Sequence, residues 1–197
     1  MDAPTLFTVA ASLWLMLAVF MALAWLVEQR TGNSGWVDVA WTGAMGLTGI
    51  ASATAVFSLG SLSARLLLVA TLVAVWALRL GGHIARRTTV VADDPRYVTL
   101  RNRWGHAASR NMFWLLQAQA VLSLPMALSI VLAAWNPAPL FSAMDFVAIA
   151  VFATGLLGSA IADLQLTHFK QQPPSNSKIC DSGLWAWSRH PNYFFEW

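Results

Sequence analysis

LFTVAASLWLMLAVFMALAWLV, residues 6–27, decides the class of this chain. It holds no ionisable side chain, and it matches the roughly 20 apolar residues that a helix needs to cross a bilayer core. Four more runs of this kind follow, at residues 36–59, 64–80, 112–135 and 146–162. The first run lacks a basic leader and another spanning run follows it closely, so it reads as a retained helix and not as a signal peptide. A soluble chain of 197 residues would need a charged surface. Here only 11% of residues are charged and 57% are hydrophobic, against about 25% charged in ordinary globular domains. The 11 tryptophans suit membrane–water interfaces, where the ring is apolar and its N–H is wet. The expected fold is all-α: a polytopic transmembrane helical bundle of five complete spans plus the start of a sixth. It forms a single membrane-embedded domain over residues 1–197.

The loop charges give an orientation, because Lys and Arg in short loops favour the cytoplasm. Arg86, Arg87, Arg96, Arg101, Arg103 and Arg110 lie between runs three and four, with Arg79 at the helix end. Lys170, Lys178 and Arg189 follow run five. No basic residue precedes run one, and residues 136–145 hold none. The N-terminus is therefore expected outside, with the loops after runs one, three and five inside. The net charge of +3 is then a local cytoplasmic excess and gives no reason to invoke nucleic acid. Cys180 is the single cysteine, so an intramolecular disulfide is ruled out. His83, His106, His168 and His190 are scattered and show no zinc spacing. Residues 171–177, rich in Pro, Ser and Asn, read as a loop.

Small residues mark two helix faces: Gly43, Gly46, Gly49 and Ala53 on run two, and Gly155, Ser159 and Ala162 on run five. Such faces let membrane helices approach closely. Ionisable residues at membrane depth are costly and need a partner or a task. Asp38, about one turn into run two, has two readings. It is either an interfacial charge favoured by the helix N-terminus, or a carboxyl group in a cavity that burial keeps protonated. Asp163 closes run five. Arg79, His83, Arg86 and Arg87 fall at helical spacing and form one basic stripe if run three continues as helix. Asp163, Thr167 and Lys170 form a second polar stripe. The stripes suit either snorkelling toward anionic lipid or a phosphate-bearing ligand, which Arg grips in bidentate fashion. The loop ADDPRYVTLRNRWG, residues 92–105, mixes paired acids, arginines and aromatics too densely for a tether. It reads as a packed loop, a candidate lid.

The C-terminal stretch CDSGLWAWSRHPNYFFEW, residues 180–197, carries a resemblance, together with SGWVDVAW (34–41), WALRLGGHIARR (76–87), DDPRYVTLRNRWG (93–105) and ADLQLTHFK (162–170). In this order and spacing they resemble the steroid 5-alpha-reductase-like superfamily, in particular its bacterial branch of uncharacterised membrane proteins. The resemblance implies a bacterial inner-membrane protein that binds NADPH in a cytoplasm-facing cavity. It also implies reduction of a carbon–carbon double bond in a lipophilic enone of steroid, isoprenoid or lipid type. By motif match, Asp163, Arg189, His190, Asn192, Tyr193 and Glu196 lie around the nucleotide. The stripe residues Arg79, Arg86, Arg87 and Lys170 join them. A donor to the substrate carbonyl lowers the barrier to hydride addition, and protonated Asp38 or Tyr97 is the candidate. The RHPNY element also occurs in isoprenylcysteine and phospholipid methyltransferases, so methyl transfer from S-adenosylmethionine is the alternative. Three departures stand out. Phe195 occupies the place of a glycine in RHPNYFGEW, and Trp76 that of a tyrosine in the characterised steroid reductases. Family members also continue beyond the motif, so the domain is expected to be incomplete at its C-terminus, one turn into the sixth helix.

Overall fold

The computed structural model describes residues 2–57, 63–90, 93–171 and 179–196. The stretch 172–178 with Lys178, Ala92, the end of run two at 58–59 and the side chain of Ala53 lie outside the described residues. The chain forms two compact units, Met1–Pro137 and Ala138–Trp197.

The first unit holds α1 (Ala3–Thr31), α2 (Gly35–Phe57), α3 (Ala64–Val90), α4 (Pro95–Trp104) and α5 (Ala108–Ala134), with a 3-10 turn at Gly105–Ala107. Local chemistry sets the ends. Asp2 caps α1 by accepting from the Thr5 amide at 3.1 Å, and Gly32 ends it at φ 66°, donating its N–H to the Glu28 carbonyl. Asp94 caps α4 with Pro95 just inside the helix, the residue type whose missing N–H costs nothing there. The apolar part of run three ends at Leu80, yet α3 continues to Val90. Arg79, His83, Arg86 and Arg87 thus do share one continuous helix, as their spacing required.

Helix α2 packs against α1, α3 and α5. The core joins Leu13, Leu17 and Met21 of α1, Val37, Ala44 and Met45 of α2, Tyr97 of α4, and Met112, Leu116 and Ala120 of α5. The small face of α2 sets the distance to α3. A Cβ added at Gly46 would stand 2.6 Å from the Cβ of Ala77, and one at Gly49 would press on Val73 at 3.3 Å. Gly43 was expected on this face, but nothing lies within 4 Å of its Cβ direction, so it takes no part in the packing.

Tryptophans lock helix pairs from within. Trp25 donates to the Ser109 carbonyl at 3.0 Å, Trp41 to the Ser123 hydroxyl at 2.8 Å and Trp135 to the Ser52 carbonyl at 3.4 Å. These three N–H groups are spent on neighbouring helices and not on interfacial water, which corrects the interface reading for them. Trp14, Trp114 and Trp187 stay exposed, as that reading expects.

The second unit holds α6 (Ala143–Gln171), a 3-10 turn at Gly183–Ala186 and α7 (Pro191–Glu196). The small face of α6 exists, with Gly158, Ser159 and Ala162 buried, but what it receives is the C-terminal segment. Trp185 donates its Nε1–H to the Ala162 carbonyl at 2.9 Å, and the Leu184 amide donates to Gln165 at 3.0 Å. Gly183 sits at φ 60° against the Gln165 side chain, where a Cβ has neither the conformation nor the room.

Four stretches are long and apolar enough to cross a membrane: Ala3–Thr31, Ala64–Val90, Pro95–Ala134 and Ala143–Gln171. Among the described residues, helix α2 is not one of them. Outward faces are apolar, with Leu78 at 77% and Leu122 at 79% exposure. Large hydrophobics in such numbers on the outside of long helices require lipid as their solvent.

Candidate functional site

Near the C-terminal end of α6 stands a buried carboxylate, Asp163. A buried carboxylate eight residues before the end of α6 needs partners, because burial disfavours an uncompensated charge. Asn192, one residue into α7, donates its Nδ2–H to Asp163 Oδ1 at 3.1 Å. The other amide atom of Asn192, Oδ1, is buried and accepts nothing from the described residues. A buried acceptor left unmet costs roughly 1–3 kcal/mol, so the atom suits a donor from outside the chain. The same unit holds a cavity of about 380 Å³, lined by Leu166, Ile179, Cys180, Trp185, Arg189 and His190, with neither Asp163 nor Asn192 in its lining. Its walls are apolar and aromatic, and a guanidinium and an imidazole stand at its edge. The His190 ring lies 5.5 Å from that of Tyr193.

Phe195 faces the same helix. A Cβ at Gly158 would fall inside its ring, and one at Gly155 would come within 2.8 Å of its carbonyl oxygen. Its bulk is therefore taken up by two glycines of α6. Of the other residues expected around a nucleotide, Lys170, Arg189, His190 and Tyr193 are exposed and Glu196 is half-buried.

The first unit carries a second polar centre, where α1, α2, α3 and α4 meet. Arg101 of α4 bonds Glu28 at 2.6 Å and also pairs with Asp93. Asp93 in turn accepts from the amides of Ser34 and Asp94, at 2.9 and 2.8 Å. Arg96 chelates Asp94 through Nε and Nη2, both at 3.0 Å, and reaches Asp38 at 2.8 Å. Arg87 of α3 closes on Asp94 at 2.8 Å. Burial opposes ionisation of Asp94, but the hydrogen bonds from Arg96 and the charges of Arg96 and Arg87 outweigh it and hold its carboxyl below the usual carboxylate range. The Tyr97 hydroxyl lies 3.5 Å from Asp38 Oδ1.

The two alternative candidate proton donors, Asp38 and Tyr97, are neighbours. The Asp38 carboxyl also meets the Arg96 guanidinium at 2.8 Å. The stretch 93–105 is packed as expected, but largely as helix α4, and its charges tie it to α1, α2 and α3. The basic stripe also divides. Arg87 is committed to Asp94, Arg86 is exposed, and Arg79 and His83 are half-buried with partners of their own.

Glu28, Asp93, Asp94, Arg96 and Arg101 were not singled out as site residues from the sequence. Glu28 did carry a signal. It is an acid in the last turn of a spanning helix, where both the bilayer and the helix dipole disfavour it. Its exposure is 1%.

Long apolar helices with lipid-facing surfaces and buried polar centres define a helical integral membrane protein. The chain belongs to the family described as "Protein of unknown function (DUF1295)", whose profile matches residues 24–197. Comparison with curated proteins and with solved structures gave no match.

Proposed function

We propose that the chain is a member of the steroid 5-alpha-reductase-like superfamily, an NADPH-dependent reductase of a carbon–carbon double bond in a lipophilic enone. The observation that carries this reading is the Asp163–Asn192 pair with its unmet Oδ1. Both residues are those the motif resemblance assigns to the nucleotide. A carboxylate and a carboxamide oxygen are the acceptors that ribose hydroxyls or the nicotinamide NH₂ require. Arg189 and His190, on the cavity edge, are donors suited to phosphate oxygens.

NADPH supplies the hydride when bound. The chain's own work is to bind, orient and move a proton. Tyr97 is the proton donor to the substrate carbonyl in this reading: its one O–H turns from Asp38, 3.5 Å away and held by Arg96, to the carbonyl oxygen, and the phenolate left behind takes its next proton from water.

The membrane arrangement that accompanies this reading has α2 as a fifth span. Its small and polar residues, Thr42, Ala44 and Thr48, are fully buried against other helices. A helix so enclosed needs less apolar surface than one facing lipid. The N-terminus lies outside and Asp163 toward the cytoplasm of the bacterial inner membrane, as the distribution of Arg and Lys favours.

Asp163→Asn and Asn192→Ala test the site. Each is expected to weaken NADPH binding by roughly 1–3 kcal/mol in detergent, the cost of stranding a polar partner, with thermal unfolding little changed. Wild-type affinity combined with much earlier melting in both variants would make these residues structural and refute the placement.

A further inference from the structure

Helix α7, Pro191–Glu196, is six residues long. It packs against α6. One face of α7 does the docking. Asn192 and Phe195, three apart and therefore on the same side, both meet α6. Asn192 bonds Asp163 at 3.1 Å. Phe195 lies over Gly155 and Gly158, so closely that a methyl group at Gly158 would occupy the space of its ring. Pro191 is buried at the head of the helix. The hydrogen bond alone is a single point of attachment and tolerates rotation of α7 about it. A ring seated on two glycines removes that freedom, because it fixes the far end of the same face.

We infer that Phe195 is a positioning residue: seated on Gly155 and Gly158, it sets Asn192 against Asp163 and so determines where the unmet Oδ1 of Asn192 stands. The glycines of α6 are then the receptor for this ring. Ligand affinity becomes sensitive to a contact made by apolar atoms that touch no ligand. The consequence for ligand affinity rests on the proposed nucleotide site; the docking does not.

The experiment uses the full chain in detergent and two readouts. The first is backbone hydrogen exchange over residues 192–196. Gly158→Ala, which pushes on the ring, is expected to speed exchange there, and Phe195→Leu in that background, smaller and adaptable, to restore protection. Asn192→Ala is expected to add nothing once Phe195→Ala is present, since the bond it removes is already lost. The second readout is NADPH affinity. It should fall about tenfold in Gly158→Ala, equivalent to one stranded polar partner, and recover with Phe195→Leu. Unchanged exchange in Gly158→Ala, or effects of Asn192→Ala and Phe195→Ala that multiply independently, would overturn the inference. If the wild-type chain fails to bind NADPH, the nucleotide reading falls, while the exchange data still decide the role of Phe195. Loss of protection with unchanged NADPH affinity would confine Phe195 to docking and overturn its role in positioning.

Discussion

Arg101 is the residue on which the polar centre of the first unit turns. It pairs with Glu28 of α1, which is almost wholly buried, and with Asp93 of the α3–α4 connection. Removing one member of a buried pair leaves an uncompensated charge, at a cost of roughly 3–5 kcal/mol. Arg101→Ala is therefore expected to melt far earlier in detergent than wild type, while Arg103→Ala, at an exposed position two residues on, should melt like wild type. Equal behaviour of the two would mean that the Glu28 pair carries no weight. The density of charge in DDPRYVTLRNR was plain in the sequence, but its partners were not. Glu28 lies 73 residues from Arg101, and no periodicity within one segment reports a contact over that separation. Asp163 and Asn192 were legible for another reason. Asp163 stands at the end of an apolar run, although α6 continues to Gln171, and Asn192 at the start of α7, each within a motif that singled it out.

Helix α2 shows how far elements could be read. All five apolar runs became helices, because a run of about 20 apolar residues has few other ways to satisfy its backbone in lipid. Their ends were less legible. Helix α3 outruns its apolar stretch to Val90, since polar residues such as Arg86 and Arg87 favour helix as well as apolar ones do. Which glycines pack was also hidden. Spacing placed Gly43 and Gly46 on one face, whereas only Gly46 meets α3, because the face a neighbour covers depends on its crossing and not on one helix's period. The two glycines should differ on substitution. Gly46→Ala is expected to destabilise by about 1–3 kcal/mol, as overpacking does. Gly43→Ala should be neutral or stabilising by up to about 1 kcal/mol, since alanine is the better helix former. Thermal denaturation of both variants in one detergent checks this, and a Gly46→Ala variant as stable as wild type would mean that α2 and α3 do not meet where described.

At the scale of the whole molecule, composition alone set the solvent. A chain with so little charge and such apolar helix exteriors is built for a bilayer, and the described helices agree. The proposed function rests on the motifs, and the structure adds a bonded pair, Asp163–Asn192, whose Asn192 Oδ1 meets no donor among the described residues. That acceptor and the neighbouring Arg189 and His190 are the groups on which a nucleotide reading stands or falls. The extra phosphate of NADPH relative to NADH should add affinity wherever an exposed guanidinium such as Arg86 or Arg189 meets it. The most direct measurement is a calorimetric titration of the wild-type chain in detergent with NADPH, NADH and S-adenosylmethionine in turn. Saturable binding of NADPH, weaker binding of NADH and no response to S-adenosylmethionine is the predicted result. Saturable binding of S-adenosylmethionine with no response to NADPH would contradict the reductase assignment and point to methyl transfer instead.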